Sequence, residues 1–283
     1  MPVALDDPPS AADMSHSPWN ALIARIAEET ELDGSVRIAG DLLPVSHRCR
    51  LVVETLADAL YVRHFRAAAV PSVVPWPVGR RGGGEACLRL ADALTPQFLG
   101  REGWTFAYRT EAGVPVFVIS TGELERSSAS CYLELSPAIA PEVYGRLVTA
   151  LDGYGLPFRA ELRGHSSSRE RIGSVVVTVS RADAPALARL AIRLRQRSPF
   201  AFGRTVPAFT RPLAPGIGLA DDPPGARDVG RHRFRVVATG LVQAGPHTGG
   251  AERRRAVVRA FLDACLDPAA LHLNPRNPEF RLT

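Results

Sequence analysis

The sequence predicts an α+β fold, and three observations carry that prediction. Hydrophobic residues recur at helical spacing before Trp104 and largely alternate after it. Beyond that point strand-like and helical segments follow one another without strict βαβ order. With 283 residues, 46% of them hydrophobic and 22% charged, the chain can bury one large core with a modest extension.

Residues 1–16 are acidic and proline-rich and read as a flexible tail. Residues 17–99 read as a helical part and 100–283 as the α+β part. Ser17-Pro18-Trp19 starts a helix, since serine caps and proline in the first turn forfeits no hydrogen bond. That helix runs to about Glu31, with Trp19, Leu22, Ile23, Ile26 and Ala27 on one face. A second runs from Ser46 to Arg66, and a third over Ala86 to Phe98. Between them lies Gly79-Arg80-Arg81-Gly82-Gly83-Gly84, whose glycines would let backbone donors approach an anion. No Gly-Lys-Ser/Thr follows, so it reads as a surface loop.

Strands are expected at Thr105–Tyr108, Val114–Ser120, Ser130–Leu135, Phe158–Leu162 and Ser174–Ser180. Helices are expected at Pro141–Leu151, Asp183–Gln196, His232–Gln243 and Ala251–Cys265. Pro207–Asp228, dense in proline and glycine, reads as loop.

Charge narrows the function classes. The net charge is +5, and all 34 basic residues are arginine, because the chain contains no lysine. Such a balance suits an anionic partner. Arginine forks onto phosphate but stays protonated, so it is a very poor general base. A nucleic-acid role is not expected: the arginines are scattered, and aromatic residues make up only 7%. Arg189, Arg193 and Arg197 line one helical face, which reads as a solvated stripe. No apolar run is long enough to span a membrane, and the N-terminus has neither basic nor apolar signal regions. A cytoplasmic protein without membrane contact is expected. Cys49, Cys87, Cys131 and Cys265 are too far apart in sequence to spell a zinc or redox motif, so reduced thiols, no metal and no cofactor are expected.

The segment Pro207-Ala208-Phe209-Thr210-Arg211-Pro212-Leu213-Ala214-Pro215-Gly216-Ile217-Gly218-Leu219-Ala220-Asp221-Asp222-Pro223 is too unusual for a generic loop. Together with Val229-Gly230-Arg231-His232-Arg233, Leu156-Pro157-Phe158-Arg159, Tyr132, Tyr144 and Leu273-Asn274-Pro275, it resembles the lyase subunits of class V lanthipeptide and thioamitide biosynthesis. These lexapeptide-lyase-like proteins are related to a Hop type III effector family of plant pathogens, and the likeness covers roughly residues 50–280. The resemblance implies a single domain of phosphothreonine-lyase-like fold with N-terminal helices. It also implies a precursor peptide phosphorylated on Ser or Thr by a partner kinase, and β-elimination of that phosphate to a dehydroamino acid. The chemistry needs a base, an acid and cations.

On that resemblance the catalytic candidates are His232, Glu161 and His165, and the phosphate-binding candidates are Arg171, Arg233, Arg163, Arg231 and Thr210. His232 serves as acid or base, or else only begins a helix. Thr210 donates to phosphate or else closes a turn. His64 reads as a surface residue. The sequence also departs from the family pattern: Glu161 stands where a lysine is expected, Ser130 for an arginine, Gly173 for an aspartate and Thr178 for a tyrosine. A non-catalytic scaffold that binds the precursor peptide or the kinase is the alternative reading.

Overall fold

The change of period at Trp104 marks the start of a seven-stranded antiparallel sheet. A computed structural model describes residues 19–32, 36–39, 41–43, 49–66, 103–111, 114–136, 139–163, 175–225 and 228–282. The fold is mixed α+β, and the chain divides into two compact units.

The first unit comprises Met1–Leu60 and Arg231–Asn277. It contains α1 (Asn20–Glu29), the short antiparallel sheet β1 (Thr30–Glu31), β2 (Val36–Ile38) and β3 (Asp41–Leu43), and α2 (Cys49–Leu60). It also holds most of α5 (Val229–Ala244) and all of α6 (Gly250–Asp263). The C-terminal helices, expected with the sheet, therefore join the N-terminal helix. Ile23, Ile26 and Ala27 of α1 are buried, as are Val257, Ala260 and Phe261 of α6, the helix against which α1 packs. Arg253 ties the pair by donating to the carbonyls of Ala27 and Thr30 at the end of α1.

The second unit comprises Tyr61–Gly230 and Pro278–Thr283. The expected second helix ends early: α2 stops at Leu60, and Tyr61–Arg66 continue as one wider π-helical turn. The sheet strands are β4 (Trp104–Glu111), β5 (Val114–Thr121), β6 (Ser128–Leu133), β7 (Phe158–Arg163), β8 (Val175–Ser180), β9 (Arg211–Ala214) and β10 (Ile217–Asp221). Their spatial order is β4-β5-β7-β8-β6-β10-β9. Two helices, α3 (Ala140–Gly153) and α4 (Ala184–Arg197), pack on one face of this sheet. That face is apolar, with Phe117, Ile119, Phe158, Ala160, Leu162, Val175, Val177 and Val179 under Leu147, Leu151 and Leu187. Each large apolar side chain contributes roughly 1.5–3 kcal/mol by leaving water. Tyr144 of α3 belongs here, donating to the Ala160 carbonyl at 3.1 Å.

The expected loop from Pro207 is a correction. Arg211–Ala214 and Ile217–Asp221 form a hairpin, and every residue of β10 is buried between β9 and β6. Pro212 is tolerated because β9 is the edge strand. Gly216 turns the hairpin at φ +75, and a side chain there would strike the Gly203 carbonyl. The expected helix at Ala86–Phe98 and the Arg-Gly stretch lie outside the described residues. Among the described residues, no helix is long and apolar enough to cross a membrane.

Candidate functional site

Strand register decides which side chains share the second face of the sheet. Residues paired directly across antiparallel strands point to the same side. Ser120, Arg159, Thr178, Ser130 and Ala220 make one such row across β5, β7, β8, β6 and β10. Val118, Glu161, Val176, Tyr132 and Gly218 make the next, and Val116 with Arg163 the one beyond. The face opposite α3 and α4 thus concentrates arginine, glutamate, hydroxyls and a tyrosine. Glu161, Ser130 and Tyr132 are nonetheless buried.

Alternation from Phe158 forces this arrangement. Phe158, Ala160 and Leu162 fill the apolar core, so Arg159, Glu161 and Arg163 all project to the other side. Arg159 donates from Nε and Nη2 to Glu161 Oε1 at 2.9 and 2.8 Å. Arg163 Nη2 donates to Glu161 Oε2 at 3.2 Å. One carboxylate therefore holds two guanidinium groups. Burial alone would weaken the charge on Arg163, but Tyr61, Asp228, Glu161 and Tyr132 outweigh it and hold the guanidinium protonated.

Among the described residues, two buried polar atoms on this face have no hydrogen-bond partner, Arg163 Nε and Tyr132 Oη. A buried unmet donor costs roughly 1–3 kcal/mol, so both favour a ligand that accepts hydrogen bonds. Burial, and then the carboxylates Asp228 and Asp222, push the Tyr132 hydroxyl well above its usual range, so it remains a neutral donor. Its ring meets Phe65 edge-on at 5.6 Å, and Phe65 stacks on Tyr61 at 5.0 Å. Tyr61 in turn donates to Asp228 Oδ2 at 2.5 Å. The glycine of the Val229-Gly230 stretch has a physical reason here, because a Cβ on Gly230 would lie 2.3 Å from the Phe65 ring.

At the end of β10 the same face carries Asp222. Ser130 donates to its Oδ1 at 2.7 Å and Ser128 to its Oδ2 at 2.9 Å, while Ser130 also bonds Thr178 at 2.8 Å. Burial pushes the carboxyl up from 3.8 to about 6, against the pull of the two serine hydrogen bonds. A carboxylate poised near neutrality accepts and returns protons at physiological pH.

The sequence candidates separate on this structure. Glu161 and Arg163 meet on the sheet face. His165, Arg171 and Gly173 lie outside the described residues. Thr210 is buried and donates to the Pro207 carbonyl at 2.7 Å, which closes the turn before β9. Arg231 is exposed and pairs with Asp58 at 3.0 Å.

Arg233 is fully buried in the first unit. It donates to the carbonyls of Leu271 and Leu273 at 2.9 and 2.7 Å, and to Asn274 Oδ1 at 3.4 Å. Its Nη1 lies 2.8 Å from His232 Nδ1. The His-Arg pair therefore anchors the Leu273-Asn274 stretch to α5, and the guanidinium is engaged with protein atoms. Burial, then Arg233 and Arg235, push His232 down to about 4. At neutral pH the imidazole is an uncharged acceptor and has no proton to give as imidazolium. His64, expected on the surface, is buried in the π-helical turn. Asp222 was missed because its pKa depends on neighbours more than 90 residues away in sequence.

Three of the four departures from the lyase pattern, Glu161, Ser130 and Thr178, fall on this one face. Among the described residues, no group of carboxylates, histidines and cysteines is arranged to hold a metal ion.

A model of the HopA1 effector protein family matches residues 109–273, more than half of the chain. The structure of the effector protein from Pseudomonas syringae pv. syringae strain 61 is similar, with a TM-score of 0.56 and 13% identity. That likeness covers 82% of this chain and 99% of the effector. The effector protein from Pseudomonas syringae pv. tomato strain DC3000 gives a TM-score of 0.46 at 14% identity, over 96% of this chain and 92% of that one. No curated protein matches significantly.

Proposed function

From the premise that this chain belongs to the HopA1 effector protein family, we propose that its polar sheet face takes the phosphate of a phosphoserine or phosphothreonine in a peptide and eliminates it. The observation that carries this reading is the pair of buried donors without a partner among the described residues, Arg163 Nε and Tyr132 Oη, on the same sheet face as the guanidinium of Arg159. Such a group suits a phosphomonoester, whose oxygens accept several charge-assisted hydrogen bonds.

In the reaction Asp222 removes the Cα proton. The C–H electron pair becomes the Cα=Cβ double bond as the Cβ–O bond breaks. Phosphate leaves with the electron pair of that bond, stabilised by Arg163 and Arg159 and by a hydrogen bond from Tyr132. Glu161 positions the two arginines. A carboxylate between two guanidinium groups is a poor proton acceptor, which removes it as the base. The resemblance to lanthipeptide and thioamitide lyases makes the substrate a precursor peptide phosphorylated by a partner kinase.

One observation favours a second reading, a scaffold that binds the peptide without turnover. Glu161 already occupies guanidinium hydrogen bonds that a phosphate would use, at the position where lyases of this pattern carry lysine. Only the elimination reading requires phosphate recognition. The phosphorylated peptide should bind more tightly than its unphosphorylated twin, and Arg163→Met should weaken that preference about tenfold or more. Equal affinity for the two peptides would overturn the elimination reading and favour the scaffold.

A further inference from the structure

The outer side of α3 and α4 carries a groove of about 760 Å³, remote from the polar face because both helices pack on the opposite side of the sheet. Its floor is apolar, with Ala150 of α3 and Leu190 and Leu194 of α4. Its rim is cationic, from Arg146, Arg193 and Arg197. Arg146 is matched by Glu142 at 2.6 Å. Arg193 reaches only the Tyr154 hydroxyl at 3.4 Å, and Arg197 forms no ion pair among the described residues.

The charge pattern of α4 is unusual for a helix that serves only as a lid. It carries Arg189, Arg193, Arg195 and Arg197 and no acidic residue. Arg189, Arg193 and Arg197 recur every fourth residue on one exposed face, a like-charge arrangement that destabilises a helix. Attraction between the last-turn arginines and the helix dipole offsets part of this for Arg197 but not for Arg189 or Arg193. Aromatic surface adds to the asymmetry: Tyr154 on the groove is 55% exposed, and Phe200, three residues past Arg197, is 95% exposed.

We propose that this groove docks an acidic amphipathic helix of a partner peptide or protein. Apolar side chains of that helix enter between α3 and α4, and its Asp or Glu residues at four-residue spacing meet the arginine stripe. Arginines four residues apart lie roughly 6 Å apart along the axis, the same spacing as acidic residues on the facing helix. Nucleic acid would match the charge but has no use for an apolar floor and is the less suited partner. The inference stands independently of the chemistry assigned to the sheet face.

The test uses the full chain and a labelled helical model peptide of repeating Glu-Glu-Leu-Leu, with fluorescence anisotropy as readout. Oligo-dT and a Lys-for-Glu version of the peptide serve as competitors. Wild-type protein should bind the acidic peptide, and neither competitor should displace it. Arg193→Glu/Arg197→Glu, which reverses the rim, and Ala150→Trp, which fills the floor with the charges intact, should each weaken binding at least tenfold. Unchanged circular dichroism and melting would show that both variants remain folded. Failure of the wild-type protein to bind would overturn the proposal. So would retention of binding by Ala150→Trp, which would reduce the contact to charge alone, or displacement of the peptide by oligo-dT.

Discussion

Asp222 is a carboxylate kept partly out of water, and its pH behaviour follows from that. Its folded pKa is raised from 3.8 to about 6, so the folded chain holds the proton more tightly than the unfolded one. The stabilising contribution is full below the unfolded value and is lost as pH rises through about 6. Above pH 6 the charged group costs folding about 3 kcal/mol. Asp222→Asn should therefore raise stability by about that amount at pH 7.5 and change little at pH 4, as denaturant titrations at the two pH values would show. Elimination by the unsubstituted protein should rise with pH through about 6 and then level off.

His232 shifts the opposite way. With its pKa at about 4, its neutral form stabilises the fold above the ordinary value near 6.5, and that contribution is lost as pH falls through 4. An NMR titration should place its midpoint well below 5, and a midpoint at or above 6.5 would contradict the buried Arg233 contact. The sequence singled out His232 and Arg233 as a pair, and they are one. It did not show that the pair faces the Leu271 and Leu273 carbonyls, because those partners come from a segment nearly 40 residues away. The raised pKa of Asp222 was invisible for the same reason, since nothing local distinguishes it from Asp221.

Elements were more legible than residues wherever periodicity was strong. The alternation in Phe158–Arg163 and the valine run in Val175–Ser180 located β7 and β8 to within a residue, and leucine spacing located α4 equally well. Parity then placed Arg159, Glu161 and Arg163 on one side, and only the pairing register could bring Ser130, Tyr132 and Thr178 beside them. The hairpin β9–β10 was misread because its prolines and glycines mimic a loop, while tertiary pairing with β6 overrides local preference. The short sheet β1–β3 gave no usable signal, having strands of only two or three residues. At the crossing of α5 and α6 a Cβ on Gly240 would sit 2.6 Å from Val257 Cα. Backbone cannot yield as a flexible side chain does. Gly240→Ala should therefore destabilise the first unit by roughly 1–3 kcal/mol despite alanine's better helix propensity, measurable as a lower denaturation midpoint.

On the scale of the whole molecule, both termini of the described chain return to units built from distant segments. The last residues, Pro278–Thr283, belong to the sheet unit, where Arg181 pairs with buried Asp221 at 2.8 Å and lies 4.8 Å from the centre of the Phe280 ring. The α+β class and the kinship with a Hop effector family were legible, the latter in the segment that forms β9 and β10, but the comparisons do not reach the lanthipeptide lyases. The chemistry was less legible than the fold, since position 161 carries glutamate held between Arg159 and Arg163 where the lyase resemblance predicted lysine. A fold shared with the family does not by itself fix the activity.

The most direct measurement is the mass of a kinase-phosphorylated precursor peptide after incubation with the purified protein and with its Asp222→Asn variant. Loss of the elements of phosphoric acid with the protein, abolished in the variant, is the predicted result. An unchanged mass while the phosphopeptide remains tightly bound would contradict elimination and leave the protein a phosphopeptide-binding scaffold.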